Sequence, residues 1–385
     1  MEQSNQTGEI VATLTAATIA DKRTRLLQVT DSQTTMNSLS KWRQDHEDKG
    51  YILQKNAALT QTTIARFRAR SAHTILKWVK GHGGHPGNEA ADKLAGLGAA
   101  KLDSDQINLT IPAPYRLTGA KLQAMTQKLA YQAISARKNA KLEPRPRTTA
   151  NMERISSGIQ AAYGMQIRDD TIWKSLRSKH VSRQASQYMW MSIHDGYMLG
   201  DHWLRTNMSD ELRRREICAI CGERESMSHI VFECNARGQE IIWNLLRQTW
   251  ALTGAEWKEP CWGTVFGAAC AVFKTSEGRR RKALESLWCI LCTEALHLIW
   301  KIRCERVIQN DGEEHTESEI TNRYYSTLNS RLTLDRRTAV IARGRKALRP
   351  QEVARIWLPV LDKADELPLK WVGDSGVLVG IKRGR

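Results

Sequence analysis

Two groups of residues in this 385-residue chain have types and spacings suited to chemistry. The first runs Trp78-Val79-Lys80-Gly81-His82-Gly83-Gly84-His85-Pro86-Gly87-Asn88-Glu89-Ala90-Ala91-Asp92. It reads as the end of a short apolar strand (74–79), a glycine- and histidine-rich loop, and a helix whose start carries Asn88, Glu89 and Asp92. Strand, loop and acid-rich helix start can bring a histidine and a carboxylate to one metal ion. The second group is Cys218, Cys221, His229 and Cys234, spaced C-x2-C-x7-H-x4-C. Two thiols on one turn, a histidine and a further thiol supply the four soft-to-borderline ligands of a closed, tetrahedral Zn²⁺ site. Gly222 lets the turn after Cys221 close.

The elements that must position the first group lie upstream. Residues 9–21 read as a helix, with Ile10, Leu14 and Ala17 at helical spacing and Glu9 in its first turn, where the dipole tolerates an acid. Residues 25–30 form a strand ending at Asp31, which also stands at the start of a helix over 32–44 and suits either a cap or a strand-end functional carboxylate. Glu9, Asp31 and Asp92 are hard oxygen donors that suit Mg²⁺ or Mn²⁺. Clustered carboxylates holding two such ions roughly 4 Å apart are what metal-assisted phosphodiester cleavage needs. A basic helix over 56–70 carries Arg66, Arg68 and Arg70, a row that suits a solvated face as well as, with Lys80, the phosphate backbone that the resemblance given next implies.

These residues resemble the type 1 ribonuclease H family. There a helix-borne Glu precedes an Asp in a T-D-S motif, matched by Glu9 and residues 30–32, and a loop His is followed ten residues later by a metal-binding Asp, matched by His82 and Asp92. The resemblance covers residues 1–100. It implies Glu9, Asp31 and Asp92 as Mg²⁺ ligands, His82 in proton traffic or product release, and the RNA strand of an RNA–DNA hybrid as substrate of an endonuclease. The family's sheet has a first strand with a further metal-binding Asp, well upstream of the helix-borne Glu. Only eight residues precede Glu9 here. The expectation is therefore an incomplete sheet of two strands.

Composition bounds the partners. Net charge is +17, from 58 Lys and Arg against 41 Asp and Glu, which suits a polyanion such as nucleic acid. Eight cysteines are too sparse for a secreted disulfide scaffold and favour a metal in a reducing compartment. No window approaches the roughly 18 apolar residues of a membrane span. The start of the chain lacks a signal-peptide pattern, so an intracellular site, cytoplasmic or nuclear, is expected.

Residues 101–150 read as a basic linker, with nine Lys and Arg against Asp103, Asp105 and Glu143, and a helix within 119–140. Residues 151–335 read as a helical zinc-knuckle module. Asp170 is read as a cap, Tyr188, Trp190 and Met191 as core, and 280–304 as a strong amphipathic helix in which Cys289 and Cys292 are packing. Residues 317–335 read as helix and 336–385 as a basic tail (Arg336, Arg337, Arg343, Arg345, Lys346 and Arg349) with strand-like material at Val377-Leu378-Val379. The I-W-K-S-L segment, the knuckle and L-I-W-K-I-R (298–303) are similar to the zinc-binding region that follows reverse transcriptase and ribonuclease H domains in non-LTR retrotransposon polyproteins. That resemblance implies an upstream reverse transcriptase part as partner. The fold class expected is α/β, an incomplete RNase H-like sheet with helices, followed by a mainly α-helical zinc module. The functional expectation is a hybrid-cleaving ribonuclease, and its rivals are a catalytically inactive nucleic-acid-binding remnant and an enzyme completed by another chain.

Overall fold

The structure is a computed structural model and describes residues 4–81, 83–101, 106–310, 312–342, 344 and 347–384. His82, Asp103, Asp105, Arg343, Arg345 and Lys346, all named above, lie outside the described residues. The chain divides into two compact units, residues 1–143 and 144–385.

In the first unit, α1 (Asn5–Ile19) is capped by Ser4, whose hydroxyl accepts from the Thr7 N–H. The helix therefore starts four residues earlier than its apolar stripe suggests, and Glu9 sits in its second turn. The helix dipole falls off within the first turn, so it does not account for Glu9. Next come β1 (Leu26–Thr30), α2 (Gln33–Leu39), α3 (Arg43–Asp48), α4 (Ala57–Arg68), β2 (Thr74–Trp78), α5 (Pro86–Ala99) and α6 (Gln127–Asn139). The strands pair in parallel, Leu26 opposite Thr74 through Thr30 opposite Trp78, so both carboxyl ends lie together. Two small cores hold the unit. Ile10 and Leu14 of α1 meet Leu59 of α4, with Ile107 and Leu109 packed on them. Leu39, Tyr51 and Ile64 form the other, with Leu76 of β2 at its edge. The stretch read as linker thus contributes packing near its start. The opposite face of the sheet is open: Leu27 and Ile75 are more than half exposed, as are Leu94 and Leu97 of α5, a helix with no buried residue.

The three arginines expected on a phosphate backbone each make intramolecular bonds. Arg70 is buried and its guanidinium donates to the carbonyls of Ala20, Asp21 and Thr24, tying the end of α4 to the loop before β1. Arg68 pairs with the buried Glu47 at 2.8 Å, and Arg66 donates to the Thr110 carbonyl. Lys80 is exposed. Arg70→Ala is therefore expected to destabilise this unit by about 1–3 kcal/mol, because three part-buried bonds from one charged donor are lost, while Lys80→Ala leaves stability unchanged. Chemical denaturation of both variants checks this. Equal stability of Arg70→Ala and the parent would overturn the assignment.

The second unit contains α7 (Pro146–Tyr163), α8 (Asp169–Ser175), α9 (Arg183–Ile193), α10 (Asp210–Arg213), α11 (Gln239–Ala251), α12 (Lys282–Cys304), α13 (Glu317–Ile341) and α14 (Pro350–Trp357). The α8 cap is Arg168, and Asp170 lies in the first turn, paired with Lys174. Helix α12 is the core. It is buried on nearly every side, including Cys289 and Cys292, with α9, α11, α13 and α14 around it. Together with the turn that continues it to Gln309, it is long and apolar enough to cross a membrane, contrary to the composition reading. The fold buries 72% of its most apolar window, which is what a helix surrounded by other helices requires.

Helix α13 starts at a capping box, Thr316 with Glu319, and runs to Ile341, beyond the 335 expected. The tail after it is part of the core: Trp371, Val372 and Ile381 are buried. Arg336 holds the tail by donating to the Trp371, Asp374 and Val377 carbonyls at 2.7, 2.6 and 3.1 Å. Val377 to Val379 form no strand, and the one bridge nearby joins Leu361 to Ile381. Below the knuckle, Arg303 of α12 and Glu225 form a bidentate ion pair with both side chains buried. Removing one member strands the other charge in the core. Arg303→Met is thus expected to cost about 3–5 kcal/mol, and the double change with Glu225→Leu much less. Urea melts of the two variants check it, and equal loss in both would remove the pair from the account.

Candidate functional site

At the carboxyl ends of the two strands, hydrogen bonds fix three elements around Asp31. Thr30 Oγ1 donates to Glu9 Oε2 at 2.9 Å and accepts the Ser32 N–H at 3.1 Å, so one hydroxyl joins α1 to the end of β1. A hydroxyl has one proton to give, so the direction of both bonds is fixed. The Ser32 hydroxyl caps α2, which leaves the Asp31 side chain without a capping role. Trp78 Nε1 donates to the Asp31 carbonyl, and Val79 N–H to the Thr30 carbonyl, locking β2 to the same end. Asn88 Nδ2 of α5 donates to Asp31 Oδ2 at 3.2 Å. A Cβ at Gly81 would stand 2.8 Å from that same oxygen, so the loop passes close only because residue 81 has no side chain.

Glu9 and Asp31 are half-buried, and Asp92 is exposed on α5 one turn beyond Asn88. Residues four apart share a helix face, so the contact from Asn88 to Asp31 turns the Asp92 face toward the strand ends. Glu9, Asp31 and Asp92 do not form a closed cluster of ligand atoms: among the described residues, the one group of three or more converging ligands is in the second unit. The donors still suit Mg²⁺, which takes one or two carboxylates and keeps water and substrate phosphate in its other positions. The sequence places Asn88 at the helix start and Thr30 in the T-D-S motif but assigns neither a role. The signal that could have singled out Asn88 is its spacing of four from Asp92.

The second unit holds the thiol cluster. Cys218, Cys221, His229 and Cys234 bring one ligand atom each to within 4.8 Å of the others. Cys234 Sγ lies 3.8 Å from Cys218 Sγ and 3.6 Å from Cys221 Sγ. The edge of a tetrahedron with Zn–S bonds near 2.3 Å is about 3.8 Å, so the sulfurs are spaced for one ion. His229 Nε2 is buried with no hydrogen-bond partner among the described residues. The Cys218 and Gly222 N–H groups bond to the Glu223 and Cys218 carbonyls, and Gly222 has φ +71°, which closes the turn as the sequence implied. The Asn235 N–H points at Cys221 Sγ and the Ala236 N–H at Cys234 Sγ. Burial raises the Cys218 thiol, but the Cys221 N–H, the His229 ring and the Ile220 N–H outweigh it and bring it down to about 6. Burial, with the neighbouring thiols Cys218 and Cys221, pushes Cys234 up to about 12 despite the Ala236 N–H. Two such thiols ionise together only beside a cation, and these residues fit Zn²⁺.

The RNase H family profile matches residues 1–100. Ribonuclease H of Methylococcus capsulatus is 34% identical over 113 residues, covering 28% of this chain and 71% of that protein. Ribonuclease H of Alcanivorax borkumensis is 32% identical over 111 residues, covering 27% and 72%, and that of a Jannaschia species 33% identical over 105 residues, covering 26% and 65%. No solved structure gives a significant match. The chain belongs to the ribonuclease H family, through its first unit.

Proposed function

We infer that the first unit is a type 1 ribonuclease H module that hydrolyses the RNA strand of an RNA–DNA hybrid. The observation that carries this reading is the Thr30 hydroxyl bridge, which holds the Glu9 carboxylate beside the end of β1 where Asp31 stands. Glu9, Asp31 and Asp92 would hold Mg²⁺ or Mn²⁺, which when bound activates water and stabilises the leaving oxygen. The chain's own part is orientation. Thr30 fixes Glu9, Asn88 fixes Asp31, and Gly81 admits the loop bearing His82, the residue assigned to proton traffic, while Lys80 offers a charge to the hybrid backbone. The second unit would carry one structural Zn²⁺ on Cys218, Cys221, His229 and Cys234. Together they fit the C-terminal part of a retroelement polyprotein, with a reverse transcriptase part as neighbour. Cleavage of a labelled hybrid, with Asp31→Asn beside the parent, tests the enzyme reading.

The open sheet face with Leu27 and Ile75, and the exposed Leu94 and Leu97, favour one rival: an enzyme whose fold is completed by further chain. Activity that appears only when a segment bearing the missing strands is added would select it. Salt-sensitive hybrid binding without cleavage in any such mixture would select the inactive remnant.

A further inference from the structure

The sequence placed Trp190 in the core, but the structure leaves it 48% exposed while Tyr188, two residues away, is buried. Its inner side rests on His194, ring centroids 4.4 Å apart and edge-on. His194 in turn lies nearly parallel to Trp173 of α8, 4.8 Å away with planes 16° apart. The Thr148 hydroxyl at 3.1 Å from His194 Nδ1 fixes the imidazole, and burial with the nearby Arg145 charge lowers the His194 pKa. Three rings thus touch one another at the surface, one pair parallel and one edge-on, and Trp190 is half exposed to solvent.

Among the described residues the charges near these rings without an ion pair are Arg145 and Arg183 and, one turn before Trp173 on α8, the exposed Asp169, so cations are in excess by one. Arg183, Gln187, Trp190 and His194 follow one another along one face of α9 at intervals of three and four, and the first three are exposed. Arg183 and Arg145 have no acidic partner among the described residues, whereas the neighbouring acids Asp170 and Asp195 are paired with Lys174 and Arg147. A cation, an amide and an indole in a row match a phosphate, a base edge and a base face. Eleven residues of helix span about 16 Å, room for a few unstacked nucleotides. Duplex bases bury their faces on one another, so only single strands can use an exposed indole.

We propose that this α8–α9 face is a stacking platform for single-stranded nucleic acid, with Trp190 taking a base and Arg183 and Arg145 the flanking phosphates. The site is separate from the strand-end carboxylates and does not depend on hydrolysis there. The test is fluorescence anisotropy of a short labelled single-stranded RNA on the full chain, with saturating unlabelled RNA–DNA hybrid present to occupy the first unit. Trp190→Ala is expected to weaken binding about tenfold, Trp190→Phe to stay within about threefold, and Arg183→Ala to lower the slope of log affinity against log salt by about one. Hybrid binding by the same variants, measured separately, stays at the parent level, and so do their melting temperatures. Unchanged single-strand affinity in Trp190→Ala overturns the platform. So does a loss that Phe does not rescue and that tracks a lowered melting temperature, since that marks a packing residue. A first unit that fails to bind hybrid shows in the separate hybrid arm and leaves the single-strand comparison readable.

Discussion

Treatment of the purified chain with a strong chelator at neutral pH is expected to release about one equivalent of Zn²⁺ and to unfold the knuckle. The ligand spacing argues for the ion, and the local packing argues for the size of the effect. The small cluster at the knuckle consists of Cys218, Cys234 and Ala236 with Cys221 beside them, so three of its four members are the ligands themselves. Without a metal the thiol end has almost no apolar surface of its own, whereas Met227, Ile230 and Val231 still anchor the 227–231 stretch in the main core. Structural Zn²⁺ contributes on the order of 10 kcal/mol to folding in small modules, comparable with the whole net stability of a domain. The loss spreads through Glu225, whose carboxylate meets Arg303 of α12 in the core. Cys218→Ala is expected to reproduce the chelated state, whereas Cys289→Ala, a buried thiol inside α12, keeps its zinc and loses only about 1–2 kcal/mol of packing. Metal content and thermal melts with and without chelator decide the matter. A chain that purifies without zinc and melts identically in both conditions has no metal centre here.

What the sequence revealed and what it hid divide along one physical line: local signals were legible, and tertiary partners were not. The 74–79 strand, the 25–30 strand and the α12 pattern depend on period and propensity, and they stand within a residue or two of where the pattern puts them. The two-strand sheet follows from the same reading. The knuckle was legible because four ligands at short spacing leave few alternatives, and Gly222 carries the positive φ that the turn requires. The start of α1 was missed because a Ser4 cap outweighs the apolar stripe, which begins later. Arg66, Arg68 and Arg70 each make an intramolecular bond that charge type alone does not show. Arg70 turns inward to three carbonyls that only the folded chain brings together. The basic composition of the tail does not show that Trp371, Val372 and Ile381 are buried. Arg336 serves as the tail's anchor, its guanidinium bonded to carbonyls some 35–41 residues away. Trp190 was assigned to the core by its neighbours in sequence, yet a step of two residues from Tyr188 on a helix turns a side chain to the far side.

Asp31→Asn is expected to lower Mg²⁺-dependent cleavage of an RNA–DNA hybrid by more than about 100-fold while leaving fold and hybrid binding in place. The substitution keeps size and shape, and its amide oxygen can still accept from Asn88 Nδ2, so the clasp between α5 and the strand end survives. It removes the negative charge at the point where the two strands, α1 and the Gly81 loop meet. Thr30→Val acts one step further out: Glu9 keeps its charge but loses the hydroxyl that aims it. Partners of metal ligands are worth about 10- to 100-fold, so Thr30→Val should fall between the parent and Asp31→Asn. Mn²⁺, which tolerates looser geometry, should recover more activity in Thr30→Val than in Asp31→Asn. That ordering separates a ligand from a residue that positions one. If the parent cleaves and Asp31→Asn cleaves equally well, the strand-end carboxylate is not part of the reaction. If the parent binds hybrid in a salt-dependent way but cleaves with neither ion, the Thr30 bridge and the Asn88 clasp preserve the shape of a site that no longer turns over.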